Sequence, residues 1–324
     1  MYQDRNNTID IFRLLFAFCV VCIHIPLVGA GKMMPIFRCA VPFFYMVSGY
    51  FMMSSNIEIK LKSNFKKWMK LWFKYFLIIG AISILLHSWY KEPIAYSWHD
   101  IIEIFVYDGK TLSMDHIVIK GESTGLYTIW FLLCGAYAFA FYYIYKKYLR
   151  IGNLVLVVAI MFLIGTSLSA LDYKTPRWLY LSIPYTGLGM LAKNFQKKMV
   201  PNNKSILLLI LTLFSCVYIE FFIANLKGIS IETSLLSPVL MFFFFIAILR
   251  YNPQGKASKY LANLGRSTTL DIYIYHRPIY ALLLAITPPS EYWIYHKAGA
   301  IIVFVITLTL VMTVKSIKKT CNIK

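Results

Sequence analysis

The feature that most constrains this chain is a series of long apolar stretches separated by short connections rich in Lys and Arg. A helix needs about 20 mostly apolar residues to cross a bilayer, and ten stretches approach that length. They cover residues 9–28, 34–54, 69–88, 125–145, 152–171, 178–195, 205–225, 232–250, 267–288 and 298–315. Charged residues make up 15% of the 324 positions, against roughly 25% in soluble proteins, which excludes a soluble enzyme. The pattern predicts an all-α polytopic membrane protein with about ten transmembrane helices.

The basic residues indicate how the chain is oriented in the membrane. Every even-numbered connection and the C-terminal tail collect Lys and Arg, whereas most odd-numbered connections carry fewer. The five basic clusters are Lys60, Lys62, Lys66 and Lys67; Lys146, Lys147 and Arg150; Lys193, Lys197, Lys198 and Lys204; Arg250, Lys256, Lys259 and Arg266; and Lys315, Lys318, Lys319 and Lys324. Loops rich in Lys and Arg stay in the cytoplasm, so both termini are predicted to be cytoplasmic. The fifth connection, with Lys174 and Arg177, fits less well.

The third connection, residues 89–124, is predicted to be a long extracellular loop. Its segment from Trp98 to Phe105 has the pattern of a short amphipathic helix at the outer surface. That helix would either shape an entrance to the protein or anchor the loop in the membrane interface. We find no linker, so residues 1–324 are interpreted as a single integral membrane domain, and its first apolar stretch as a retained span.

The formal net charge of +19 would suggest a nucleic-acid partner in a soluble protein. Here the positive charge lies between apolar stretches, so we expect contact with anionic membrane lipids and no nucleic acid. The six cysteines and six histidines show no metal-ligand spacing. The sequence therefore predicts no metal site and no disulfide framework.

Ionisable residues inside the predicted spans are the candidates for function, because a charge in hydrocarbon is costly unless it has a role or a partner. The candidates are Asp10, Arg13, His24, Arg38, Glu220, Asp271, His276 and Arg277. Asp10 is interpreted as a residue that favours the start of a helix, since carboxylates stabilise helix N-termini.

Arg13 and His24 are predicted to share one face of the first helix. They are eleven residues apart, which is about 1100° of rotation, roughly 20° beyond three turns, and about 16.5 Å of rise. One interpretation is an anion-binding group and a proton-transfer group along one ligand. The other places Arg13 among the cytoplasmic headgroups and His24 in a structural hydrogen bond.

The sequence resembles the acyltransferase 3 family of integral membrane acyltransferases. The resemblance begins with IDIFRLLFAFCVVCIH and FRCAVPFFYMVSGYFM, residues 9–24 and 37–52. Arg13 and His24 match the family's Arg and His separated by ten residues. Weaker similarity follows at Trp130-Phe131-Leu132 and in the late Tyr-x-x-His segment at Tyr273 and His276. Family members often have His-Pro in that segment, whereas Arg277 intervenes here.

The resemblance implies transfer of an acyl group, with acetyl-CoA as the expected donor, from cytoplasmic acyl-CoA to a hydroxyl of a cell-surface or lipid-linked glycan. This transfer would take place at the cytoplasmic membrane. No bound cofactor is implied. Arg13 would bind the coenzyme A phosphates. His24 would act on the acceptor hydroxyl as a general base, or would carry the acyl group transiently.

The other candidates have more than one interpretation each. Arg38 either stabilises the oxyanion of the intermediate, binds an acidic acceptor sugar, or contacts a headgroup. Glu220 either orients His24 or partners Arg38. Asp271, His276 and Arg277 either support the site or form a structural ion pair within the ninth span.

Two further functions fit the sequence. A membrane transporter, for example for serine or another amino acid, is suggested by related membrane domains that are fused to amino-acid racemases. Such a transporter would favour paired helix interruptions in two halves of the chain, and Pro26, Pro42, Pro184 and Pro238 show no such pairing. A scaffold protein would not need Arg13 and His24 on one face.

Overall fold

The computed structural model describes residues 6–53, 56–90, 129–149, 153–170, 177–196, 203–227 and 234–321. These residues form α-helices with no strand among them. In chain order the helices are α1 (Asn7–His24), α2 (Ala30–Phe37), α3 (Ala40–Met52), α4 (Ile57–Tyr90), α5 (Trp130–Ile144), α6 (Leu154–Ala170), α7 (Ile183–Phe195), α8 (Asn203–Leu226), α9 (Ser237–Leu249), α10 (Lys256–Ile286) and α11 (Tyr292–Thr320). Short π-helical turns follow α5 and precede α7.

Each of the ten apolar stretches overlaps at least one helix, which confirms the all-helical prediction for the described residues. By length and composition, three helices in this part of the chain are apolar enough to cross a membrane: Asn7–His24, Lys204–Leu226 and Tyr292–Thr320. The count of ten spans and the cytoplasmic termini stay predictions. Most of residues 89–124, including the amphipathic segment, lies outside the described residues.

The second apolar stretch is not one helix, as its sequence predicted, but two. Pro42 has no backbone N–H to donate to the carbonyl of Arg38, four residues earlier, and its ring crowds that carbonyl. The helical ladder is therefore interrupted between α2 and α3, where Phe43 resumes it by donating to the Cys39 carbonyl at 3.0 Å. The interruption leaves Arg38 at the C-terminal end of α2.

Helices α1 and α10 run side by side in the same direction. Gly265 of α10 lies against the backbone of Asp10 near the start of α1, and His276 stacks on His24 at the end of α1. A residue larger than glycine at position 265 would meet the Asp10 carbonyl oxygen. This close contact brings one face of α10 against the face of α1 that carries Arg13 and His24.

Helix α11 runs antiparallel to α10 and binds it near the C-terminal end of α11. Lys315 of α11 lies 2.5 Å from the Asp271 carboxylate and also donates to the Ser267 carbonyl of α10. At the other end, the Ala300 amide of α11 donates to the Pro26 carbonyl just after α1, at 3.1 Å. Thus α1, α10 and α11 form a connected group that holds one side of the site.

Candidate active site

Arg13 is held in the first half of α1 by a neighbour on its own helix. Its Nη1 donates to the Asp10 carboxylate at 2.8 Å, and the Asp10 side chain is 8% exposed. The guanidinium also lies over the Phe51 ring, 5.6 Å from its centroid. A guanidinium has five N–H donors, so the bond to Asp10 orients the group and leaves further donors for a ligand. Asp10 is more than the helix-start residue that its position suggested.

His24 and His276 meet at the end of α1. Their ring centroids are 5.4 Å apart and the rings are stacked at 28°. His276 is fully buried, whereas His24 is partly exposed. The pair joins two histidines that are 252 positions apart in the sequence.

The hydrogen bonding of His276 sets its tautomer. Nδ1 lies 3.1 Å from the Ile272 carbonyl oxygen, which can only accept, so in the neutral ring we assign the proton to Nδ1. Nε2 then carries a lone pair, and it has no hydrogen-bond partner among the described residues. A neutral imidazole arranged in this way can accept a proton at Nε2.

A cavity of about 180 Å³ extends from Arg13 between α1, α3, α4, α5 and α10. Lys67 of α4 also lines the cavity, and most of the remaining lining is apolar or aromatic. The lining comprises Arg13, Phe44, Val47, Ser48, Lys67, Trp68, Leu71, Phe131, Leu132, Thr269, Leu270 and Tyr273. The Tyr273 ring is 6.3 Å from the His276 ring. The cavity therefore connects the surroundings of Arg13 to a residue next to the histidine pair.

Three arginines contribute positive potential at His24: Arg38, Arg177 and Arg277. They come from the end of α2, from the turn before α7 and from α10. The Arg177 guanidinium lies 5.0 Å from the Trp130 ring centroid. This clustering brings together residues from three distant parts of the sequence, and Arg177 entered the sequence analysis only as a misfit in the loop charges.

Two of the predicted supporting residues lie in structural contacts. The Glu220 carboxylate accepts from the Ser234 hydroxyl and from the Leu235 amide, the latter at 2.7 Å, so it anchors the segment before α9 instead of meeting His24 or Arg38. Asp271 does form a structural ion pair, but its partner is Lys315 of α11 and not Arg277. Both corrections have one cause. The partners of Glu220 and Asp271 lie on other elements, and residue spacing along one helix does not show which elements contact it.

The sequence analysis did not assign roles to Lys67, Trp68 and Tyr273, all of which line the cavity. Lys67 was visible only as one of four lysines in a basic connection, and Tyr273 only through the Tyr-x-x-His resemblance. In the described part of the chain, no group of three or more His, Cys, Asp or Glu residues could hold a metal ion.

The fold and the site define a class of protein. It is a helical membrane protein whose cavity leads from an arginine toward a pair of stacked histidines. The chain belongs to the acyltransferase 3 family: the family's sequence model, described as an acyltransferase domain, matches residues 6–317. At the level of this family the chain is a membrane acyltransferase.

A search of curated proteins finds a more distant relative. The chain is 25% identical over 309 residues to a protein of Enterococcus faecalis named amino-acid racemase, with 88% of this chain covered. The match spans only 42% of that relative's length. No solved structure matches the chain.

Proposed function

We propose that this protein transfers an acyl group, most simply acetyl, from cytoplasmic acyl-CoA to a hydroxyl of a cell-surface or lipid-linked glycan. The observation that carries this proposal is the cavity that begins at Arg13 and reaches Tyr273, one helical turn before His276. A thioester on a long flexible arm, with phosphates at one end, fits a path that is cationic at its start and apolar along its wall.

The donor phosphates are proposed to bind at Arg13 and Lys67. Arg13 offers a planar fork that matches phosphate geometry, and Lys67 adds a compact second charge. Asp10 fixes the orientation of the guanidinium through its 2.8 Å hydrogen bond. The family's Arg-x10-His pair thus gains a second cation, from α4, in this proposal.

The transfer itself is proposed to take place at the histidine pair. His24 removes the proton from the acceptor hydroxyl as that oxygen attacks the thioester carbonyl carbon. The alternative route has His24 attack first and carry the acyl group before the acceptor takes it. His276, with its Nε2 lone pair, is the second base available at the same place.

The acceptor is proposed to reach His24 where the charges of Arg38, Arg177 and Arg277 act. Their positive potential stabilises the negative oxygen that develops during transfer. It also favours an acceptor with acidic or phosphate groups, as the sequence interpretation of Arg38 suggested. The partners are therefore acyl-CoA, a glycan acceptor and the lipids of the cytoplasmic membrane, in which the chain is proposed to be a multi-pass protein.

Transport is the second candidate, and the relative named amino-acid racemase is the observation that favours it. That relative is more than twice as long as the segment it shares with this chain, so its name does not describe this segment alone. A transporter of serine or another amino acid would bind that amino acid and would leave acetyl-CoA intact.

The deciding experiment incubates the purified protein with radiolabelled acetyl-CoA and measures thioester hydrolysis and transfer of label to a cell-envelope extract. We expect both, and we expect Arg13→Ala to reduce coenzyme A binding. Uptake of labelled serine into proteoliposomes, with no thioester cleavage in the same preparation, would support transport instead.

A further inference from the structure

Tyr273 presents a buried hydroxyl that the protein itself leaves unused. The residue is 4% exposed, and its hydroxyl has no hydrogen-bond partner among the described residues. Buried hydroxyl groups are nearly always hydrogen-bonded, because losing water without a replacement is unfavourable. An unpaired one beside a cavity therefore points to a ligand that supplies the missing acceptor.

The ring of Tyr273 is held firmly by its aromatic neighbours. Phe131 lies 5.0 Å from it, centroid to centroid, and Phe131 is stacked at 4.6 Å on Tyr45. The Tyr45 hydroxyl donates to the Phe131 carbonyl at 3.1 Å, which couples the two rings to the backbone of α5. A hydroxyl on a ring packed in this way is already oriented before a ligand arrives.

The other hydroxyl groups of the cavity are committed elsewhere. Ser48 donates to the Phe44 carbonyl at 2.9 Å, and Thr269 donates to the Gly265 carbonyl at 2.5 Å, each within its own helix. Of the described hydroxyl-bearing residues that line the cavity, Tyr273 alone keeps its proton available. It also lies one turn from His276 on α10, with the two rings 6.3 Å apart.

We propose that the Tyr273 hydroxyl donates a hydrogen bond to the thioester carbonyl oxygen of the acyl donor and holds the oxyanion that this oxygen becomes. The inference rests on the proposed acyl-CoA-dependent transfer and adds a catalytic residue to it. The acceptor oxygen forms a bond to the carbonyl carbon and gives its proton to a histidine, while the carbonyl π electrons move to the oxygen. The oxyanion then collapses, the C–S bond breaks, and the coenzyme A thiolate leaves and takes that proton.

The test replaces Tyr273 by Phe, which removes only the hydroxyl. We expect kcat for acetyl-CoA cleavage to fall by about 10²–10³-fold, the usual effect of losing one oxyanion donor, with little change in KM. The melting temperature should stay the same or rise, since an unpaired buried hydroxyl is removed. Tyr275→Phe is the matched control on the same helix: its ring packs on Tyr75, it does not line the cavity, and its turnover should equal that of the wild type.

A spectroscopic measurement tests the hydrogen bond without turnover. With acetyl-CoA labelled with ¹³C at the carbonyl, the infrared band of the bound wild-type complex should lie below that of a thioacetate ester dissolved in alkane. In the Tyr273→Phe complex the band should shift to higher frequency. Should the variant misfold, the wild-type band still decides, because a band at the alkane position would mean that the carbonyl accepts no hydrogen bond.

The outcomes separate this inference from the proposed function. A wild-type protein that neither binds nor cleaves acetyl-CoA would overturn both. A wild type that cleaves acetyl-CoA, with kcat and carbonyl band unchanged in Tyr273→Phe, would overturn the role of Tyr273 and leave the acyltransferase proposal intact.

Discussion

At the scale of single residues, the ionisable side chains within the apolar stretches fall into two groups. Arg13 lines the cavity, and His24 and His276 form a stacked pair beside Tyr273 of the same lining. Glu220 and Asp271 instead hold neighbouring elements together. A charge within a membrane span is costly in either case, so the sequence rule finds both groups and cannot separate them.

His24→Ala should lower the turnover of acetyl-CoA by about 10²–10⁴-fold, the range expected for a general acid–base group. Coenzyme A affinity should change little, because Arg13 lies about 16.5 Å away along α1. Turnover per folded molecule and coenzyme A binding are measured in one preparation, with His296→Ala, an exposed histidine, as the control. Wild-type turnover in His24→Ala would remove His24 from the mechanism and make His276 the next residue to replace.

Arg13→Lys should weaken coenzyme A binding by about tenfold, equivalent to roughly 1.4 kcal/mol. Lysine keeps the positive charge but lacks the planar fork that binds phosphate through two parallel hydrogen bonds. Isothermal titration with coenzyme A measures the change, and Arg250→Lys, outside the cavity lining, serves as the control. Equal affinity in wild type, Arg13→Lys and Arg13→Ala would place the phosphates elsewhere.

At the scale of helices, close backbone contacts position the parts of the site. Gly49 of α3 packs on the Thr186 backbone of α7, and Gly189 of α7 packs on the Met46 backbone of α3. Small residues allow membrane helices to approach in this way. The pairing fixes α3, whose Phe44, Val47 and Ser48 line the cavity.

Gly49→Ala should destabilise the protein by about 1–3 kcal/mol, the range for overpacked cores, because the new methyl group would meet the Thr186 carbonyl. Gly31→Ala is the matched control, since open space surrounds that position and alanine favours a helix by up to about 1 kcal/mol. Thermal unfolding in detergent compares the two. Equal melting temperatures for both variants would show that α3 and α7 are not held so closely.

At the scale of the whole molecule, apolar side chains face outward as well as inward. On α8, Leu208 is 67% exposed and Leu226 is 72% exposed, and similar side chains cover the outer surface of α11. Such a surface is unfavourable in water and suits lipid tails. Together with the family and the three long apolar helices, it identifies a membrane protein.

The alternation of basic connections makes a prediction about the orientation of the whole chain. A tag at residue 324 should react with a membrane-impermeant reagent only after the cells are permeabilised, whereas a tag inserted within residues 89–124 should react in intact cells. The physical reason is that Lys- and Arg-rich loops are retained in the cytoplasm. Reaction of the residue 324 tag in intact cells would contradict the predicted topology.

The sequence by itself determined the features that depend on local chemistry. Apolar length determined the helices, and the rise and rotation of one helix determined that Arg13 and His24 share a face. The Pro42 break was also encoded locally, but a count of apolar residues does not register a missing N–H. These properties need only the residues of one segment.

Only the tertiary structure decided which segments meet. The stacking of His24 on His276, the cavity wall that Lys67 shares with Arg13, and the unpaired hydroxyl of Tyr273 all join residues from different helices. Glu220 and Asp271 likewise have their partners in other elements. In lipid, helices associate through detailed packing and not through a hydrophobic pattern that can be read along the chain, so the pairing of helices, and with it the composition of the site, is absent from the sequence pattern.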